Sequence, residues 1–391
     1  MNIANNNLSK KGSSALIYFD NAVATKPFKS ITQSIKSNLS DPWMDLNAPY
    51  FEKTHYFEII SQSLARIKGC LGVHSNDQLT LCSSGMSAVQ KVYHKVYRDY
   101  ISQSGKNQIL TTDSEEAPIQ LTSLEYEDIG LIRSTIPLDA TGRVLVDKLE
   151  RVISPKTCLI SLSWANGLTG VIQPIAEIST LCREKGILLH VDGSHMLGKY
   201  ECNISECMVD YFTFNGALFH APKGCAGLIT RSGLHDTSDE IESLKNANLS
   251  SLVCLADAMH SVSSNLDHMM LEINRLKKKL EEKIMENISG SEVLCQESER
   301  VPHITAIYFP GVVGELLAFH LYDKGVLSSF GGGALQKLCN LLYGVGINFQ
   351  KSNSSLSFAL SYATTEEEIE AGAKIIIEAF HKCRSFSKGL L

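Results

Sequence analysis

The sequence predicts an α/β protein, a mostly parallel sheet wrapped by helices, followed by a smaller α+β unit at the C-terminal end. Three observations carry that expectation. Short apolar runs alternate with amphipathic, helix-length stretches from Leu79 to Asp192, the βαβα order of a parallel sheet with helical crossovers. One of those runs, Gly186 to Val191 (GILLHV), is apolar throughout, as a strand buried on both faces must be. Beyond Gly227 the texture changes to long helical periodicity, and the last hundred residues then mix strands, a glycine-rich loop and a strongly signalled final helix.

In order, Ala15 to Phe19 is a short apolar run ended by the turn pair Asp20-Asn21, and Pro27 opens a helical pattern through Ile31, Ile35 and Leu39. Phe57 to Leu71 puts Ile59, Ile60, Leu64, Ile67 and Leu71 on one stripe. A strand at Leu79 to Cys82 runs into Ser83-Ser84-Gly85 and a helix over Ala88 to Tyr97. Further strands fall at Ile109-Leu110 and Cys158 to Ser161, and a helix at Pro174 to Glu184. Ligands of such sheets gather at the carboxyl ends of the strands, where Asp192 and the Ser83-Gly85 loop both lie. Ser238 to Ser289 reads as one or two long helices bridging two domains, its lysine run a solvated face. The C-terminal part adds strands at Ile304 to Phe309 and Leu356 to Leu360, a helix at Gly314 to Tyr322 and the loop Phe330-Gly331-Gly332-Gly333. Its last helix opens with Thr365 and Glu368 as a capping box and buries Ile369, Gly372, Ile376 and Phe380.

Composition narrows the function. With 391 residues, two or three domains of roughly 150 residues are expected. Lys+Arg 36 against Asp+Glu 42 leaves −6, so no global positive field exists for nucleic acid. Eleven cysteines, an odd count with no CxxC pair, read as reduced thiols; Cys202 and Cys207 have no second pair to complete a metal site. The polar N-terminus lacks a signal-peptide core and no apolar run reaches 18 residues, so the expected compartment is the cytoplasm, without membrane.

Six segments in order are YFDNAVAT (Tyr18 to Thr25), SSGMSAV (Ser83 to Val89), ANGLTGVIQPI (Ala165 to Ile175), LLHVDGSH (Leu188 to His195), APKG (Ala221 to Gly224) and TTEEEIE (Thr364 to Glu370). Together they resemble the cysteine desulfurases of the NifS/IscS type, a branch of the class V aminotransferase family. The resemblance covers nearly the whole chain. It implies the fold-type I, aspartate aminotransferase-like architecture of pyridoxal-phosphate (PLP) enzymes. In that architecture 1–25 is a segment associated with the small domain, 26–260 a large domain with a mostly parallel seven-stranded sheet, and 261–391 a small α+β domain.

Residue by residue, the resemblance implies cofactor roles for Asp192 at the pyridine nitrogen, Asn166 at the ring oxygen, Ser84, Gly85 and Ser87 around the phosphate, and Asn215 as a further cofactor contact. A bare reading remains beside each: Asp192 as a strand-end cap, Asn166 as a loop amide, Ser84 as a helix cap. Four other matches depart from the family pattern. Leu218 stands where the Schiff-base lysine belongs, and no rearrangement gives leucine an amine. Glu116 stands for the histidine that stacks on the cofactor, and a carboxylate cannot stack and would repel a phosphate. Gly333 takes the place of the nucleophilic cysteine. Ser357 takes that of the arginine that forks onto the substrate carboxylate. The displaced candidates are Lys223, better read as a turn residue, and Cys339, better read as a buried core thiol. The expectation is a homologue that folds as a homodimer and acts by binding, meeting an active desulfurase or an iron–sulfur assembly protein, with PLP held non-covalently or absent. The alternative is a PLP-dependent desulfurase or aminotransferase using a displaced lysine such as Lys223.

Overall fold

The computed structural model describes residues 16–38, 48, 50–234, 244, 248–332 and 336–387. The calls on Ala15, Leu39 and Gly333, and part of the call on 238–289, lie outside the described residues.

The central sheet has seven strands: β2 (Gln78–Cys82), β3 (Gln108–Thr111), β4 (Ile132–Thr135), β5 (Thr157–Ser163), β6 (Leu188–Asp192), β7 (Tyr211–Asn215) and β8 (Ala226–Thr230), in the spatial order β2-β8-β7-β6-β5-β3-β4. All neighbours run parallel except β8, which is antiparallel to both β2 and β7. The tight turn Ala221 to Gly224, with Gly224 at φ +96, is what reverses the chain between β7 and β8. β5 and β6 carry Leu159, Ile160, Leu162, Leu189 and Val191 with almost no exposure, as expected for parallel strands covered by helices on both faces.

Helices pack on this sheet as the apolar spacing anticipated. His55–Leu71 buries Ile60, Leu64, Ile67 and Leu71, and Gly85–Val96 buries Ala88, Val89, Val92, Tyr93 and Val96. The bridging region is two helices broken at Asn265. Leu249–Ser264 puts Leu252, Leu255, Met259 and Val262 into the sheet's core, whereas Leu266 to Asn287 gives Met269, Ile273, Leu276, Leu280 and Ile284 to the second core.

That second core forms around β9 (Glu292–Val293), β10 (Ile304–Tyr308) and β14 (Ser355–Ala359), ordered β14-β10-β9, with Gly314–Asp323 and Glu366–Ser387 packed against them. The capping box forms: Thr365 N donates to Glu368 Oε2 at 3.0 Å, and Glu368 N donates to Thr365 Oγ1 at 3.2 Å. The N-terminal strand β1 (Ile17–Tyr18) runs parallel to β11 (Val326–Leu327), so the start of the described chain is tied to this C-terminal half. Gly372 belongs to the same contact, because a Cβ there would lie 2.6 Å from the Phe19 ring. A small hairpin, β12 (Gly331–Gly332) with β13 (Gln336–Lys337), projects from the C-terminal half toward the sheet. Gly331 is needed in it: its φ is +94, and a Cβ would fall 2.0 Å from Gln336 O. No helix among the described residues is long and apolar enough to cross a membrane.

Candidate functional site

The carboxyl ends of β5, β6 and β7 deliver Ser163, Asp192 and Asn215 to one place, the location the topology predicts. They line a cavity of about 250 Å³. Gly85, at the first turn of Gly85–Val96, lines it from one side. Ala22 and Val23 come from the N-terminal segment, Ser329 from the chain just before the hairpin of the C-terminal half, and Gly332 and Gln336 from the hairpin itself.

Asp192 sits on its floor, 8% exposed. Its Oδ1 accepts from Ser194 N and its Oδ2 from Thr213 Oγ1, each at 2.9 Å. Behind Thr213 runs a buried chain: His190 Nε2 lies 2.9 Å from Thr213 Oγ1, and His190 Nδ1 lies 2.8 Å from Ser161 Oγ. Burial pulls His190 down to about 3, and a neutral ring fits this chain, with Ser161 donating to Nδ1 and Nε2–H donating to Thr213. All donors reaching Asp192 are thus neutral, and burial pushes its carboxyl up from the ordinary range.

The opposite wall is built by Glu116, at the N-cap of Ala117–Glu127. Its Oε1 accepts from Gly167 N at 2.9 Å and lies 3.4 Å from His195 Nε2, while its Oε2 accepts from Gln336 Nε2 at 2.5 Å. Burial acts to raise this carboxyl, but His195, the Gly167 amide and Gln336 outweigh it and hold Glu116 below the usual carboxylate value. Gly167 makes room for the pair, since a Cβ there would lie 2.5 Å from both Glu116 Oε1 and His195 Nε2. The neighbouring Glu115 turns the other way, accepting from Ser163 N at 2.7 Å and Thr112 Oγ1 at 2.8 Å, and burial pushes it up to about 7.

Comparison with known proteins gives this geometry a family. The aminotransferase class-V family model matches residues 17–371. The chain belongs to that family. A cysteine desulfurase of Nostoc sp. is 23% identical over 384 residues, covering 95% of each chain. Two solved structures share the fold. A NifS-like protein has a TM-score of 0.83 at 22% identity, covering 94% of this chain and 100% of its own. A NifS-like protein from Rickettsia africae has a TM-score of 0.80 at 20% identity, covering 94% of this chain and 100% of its own. The class V, NifS-like resemblance and the α/β PLP-enzyme fold therefore stand.

Within this class V chain the residues singled out from sequence fall into three places. Asp192, Asn215, Gly85, Leu218 and Glu116 line the cavity. Leu218 is 6% exposed, on the single turn Gly216–Leu218 that Asn215 caps by accepting from Ala217 N at 3.2 Å. Ser84 and Ser87 lie beside it, spent on each other: Ser87 N donates to Ser84 Oγ at 3.1 Å and Ser84 N to Ser87 Oγ at 3.0 Å. Asn166, named as a cofactor contact, is outside the cavity's lining. Its Oδ1 accepts from the Leu168 and Thr169 amides, both at 2.9 Å, and its Nδ2 donates to Ser114 O at 2.9 Å, so both polar atoms are engaged within the protein.

Ser357 is also away from the cavity, 1% exposed, its hydroxyl donating to Leu168 O at 2.7 Å. Lys223 is exposed on the turn between β7 and β8 and does not line the cavity. Cys339 corrects an expectation. It is half-buried rather than a core thiol, because the helix Leu338–Gly344 buries Leu338 and Leu342 and turns Cys339 sideways. Desolvation raises its pKa.

Three residues of this region escaped sequence reasoning. His195 and Gln336 meet Glu116 only through contacts spanning 79 and 220 positions, and no short spacing encodes them. Lys199 is 4% exposed, with Nζ 3.4 Å from Ser194 O, and burial lowers it to about 7. Four residues after His195 and adjacent to a glycine, it carries no local signal of burial.

Proposed function

We propose that this chain is a cysteine desulfurase-like member of the class V family that no longer catalyses desulfuration and acts by binding. One observation carries the reading: the cavity holds no lysine or arginine among its described lining residues, and the buried Leu218 occupies the position matched to the Schiff-base lysine. PLP, when bound in this family, supplies an electron sink attached through a lysine amine. Asp192 and the amides opening Gly85–Val96 suit the ring nitrogen and the phosphate of that cofactor. The rest of the site does not suit covalent attachment, so no chemical step is assigned to it here. Glu116 brings negative charge to the wall, and Ser357 is committed to Leu168 O.

The same reading makes the protein a cytoplasmic homodimer whose partner is an active desulfurase or an iron–sulfur assembly protein. The displaced-lysine alternative is weaker, since Lys223 is exposed on a turn and neither it nor Lys199 lines the cavity. The deciding experiment supplies L-cysteine, PLP and a reductant and measures alanine and sulfide. No turnover is expected, and borohydride reduction followed by peptide mapping should find no phosphopyridoxyl adduct. Turnover abolished by Lys223→Ala or Lys199→Met would sink the reading.

A further inference from the structure

Away from the cavity, the joint between the sheet and the C-terminal half encloses a group of basic side chains. The stretch before β10 makes the joint: Val301 N donates to Gly170 O at 2.8 Å, and Ile172 N donates to Glu299 O at 2.9 Å. His303 lies on that stretch, its carbonyl accepting from Leu360 N at 2.9 Å. Two residues on, Tyr362 Oη donates to Gly198 O at 2.6 Å, which brings up the neighbouring Lys199. The Tyr362 ring also meets His220 edge-on, with centroids 5.6 Å apart, and stacks on His268 at 5.9 Å. Lys277 comes from the helix Asn274–Asn287, whose Glu281 reaches Arg300 of the same stretch at 3.8 Å. Lys199, His220, Lys277 and His303 are 4%, 2%, 5% and 1% exposed, and charge on any of the other three opposes a proton on His303.

The joint is short of negative charge. The carboxylate set against Lys199 is Glu116, already engaged by Gly167 N, Gln336 and His195. The one set against Lys277 is Glu281, shared with Arg300, while Glu299 is turned to Tyr200 Oη. Lys278, on the same helix, is exposed and adds only like charge. The four basic side chains are buried within the single chain, so a second copy brings them no counter-charge.

A second observation is independent of charge. Neither Nδ1 nor Nε2 of His303 has a hydrogen-bond partner, and Arg300 Nη1 and Glu281 Oε1 are likewise unmatched. A neutral imidazole carries one N–H and one bare nitrogen, so the closed joint leaves both a donor and an acceptor unmet. Water reaching His303 would satisfy both.

We propose that this joint is a proton-operated hinge: acidification draws water and protons to Lys199, Lys277, His220 and His303 and parts the two halves along the seam of 170–172 and 299–303. The sign follows from burial. Desolvation holds Lys199 at about 7 and Lys277 at about 8, against 10.5 for a solvated lysine, and draws His220 down to about 4. Between about 8 and 10.5 only the open joint protonates both amines, and between about 7 and 8 Lys199 still distinguishes the two states. Opening therefore takes up protons and is favoured about tenfold per pH unit for each one as the pH falls. Both halves line the cavity, so the same motion would widen it, whatever the cavity binds.

The test is hydrogen exchange of the full-length protein from pH 7 to pH 9, with each rate corrected for the intrinsic pH dependence of amide exchange. The Ile172 and Val301 amides are expected to exchange ahead of those in β5 and β6, with an opening constant that rises at least about tenfold from pH 8.5 to 7.5. Lys199→Met and Lys277→Met should each flatten that rise, and the double variant should leave none. Lys278→Met should leave it intact. Seam amides that exchange only together with the sheet, an opening constant independent of pH, or a rise that survives the double variant would overturn the inference. The unmodified protein's own profile decides it should a variant fail to fold.

Discussion

The floor and the rim of the cavity have different fates. On the floor, Asp192 and the Ser84–Ser87 cap resemble the family pattern, and each is also a structural joint. Asp192 fastens the end of β6 to β7 through Thr213, and the two serines satisfy the first turn of Gly85–Val96. On the rim, Glu116 and Ser357 are ties between the two halves of the molecule. Glu116 of the sheet half holds Gln336 of the hairpin, and Ser357 of β14 holds Leu168 O. The difference teaches that on the floor a polar group serves one element's own end, whereas on the rim it joins segments far apart in sequence.

The comparison can be broken first at Lys199, buried directly behind the floor. Its folded pKa of about 7 lies below its ordinary value of 10.5. Below about 7 both folded and unfolded states hold the proton, and the folded state bears the full penalty of a buried ammonium. Between about 7 and 10.5 only the unfolded state binds it, so the protein's stability should rise with pH across that window. Lys199→Met should remove the penalty, making the variant more stable at pH 7 by a few kcal/mol, an order-of-magnitude figure. The advantage should shrink toward pH 10, and denaturant melts of both proteins across that range measure it. An advantage that is absent, or that grows with pH, would mean Lys199 is not a buried strain on the floor.

Gly193→Ala tests the floor itself. A Cβ at 193 would meet the Phe212 ring at 2.1 Å, inside a core where Phe212 is 1% exposed. Overpacking of this kind costs about 1–3 kcal/mol. The melting temperature should fall and Asp192, one residue away, should lose its alignment on Thr213. A variant as stable as the parent would show that the floor has slack to give.

Much of the fold was legible because its signals are local. The GILLHV run became β6, the Thr365/Glu368 box capped the last helix, and the stripe from Ile60 to Leu71 packed as spaced. The antiparallel β8 was not, because strand direction depends on the Ala221–Gly224 turn and on which neighbour the strand finds, and periodicity encodes neither. At the site, Asp192 and Leu218 were legible because short motifs fix their places after β6 and β7. The partnership of Glu116 with His195 and Gln336 was not, since three distant segments must meet before it exists. Asn166 shows the converse: it stands in the quoted motif, yet its Oδ1 serves its own loop and its Nδ2 the carbonyl of Ser114.

The rim ties should give the smallest effects, and their split is informative. Ser357→Ala removes a donor from a fully buried carbonyl, Leu168 O, and unsatisfied buried groups cost about 1–3 kcal/mol. Because Ser357 lies in β14, mid-core, that loss should appear in global melting. Gln336→Ala removes a bond at the partly exposed edge, where Glu116 keeps Gly167 N and His195, so global stability should change by less than about 1 kcal/mol. Its effect should instead be local: faster hydrogen exchange in the hairpin amides of 331, 332 and 336–338, with the sheet's amides unchanged. If the hairpin exchanges no faster after Gln336→Ala, then Glu116 is not what holds it over the cavity. The rim would then be closed by the Ser329–Ser357 backbone pair alone, whose two hydrogen bonds of 2.9 and 2.7 Å a side-chain substitution leaves intact.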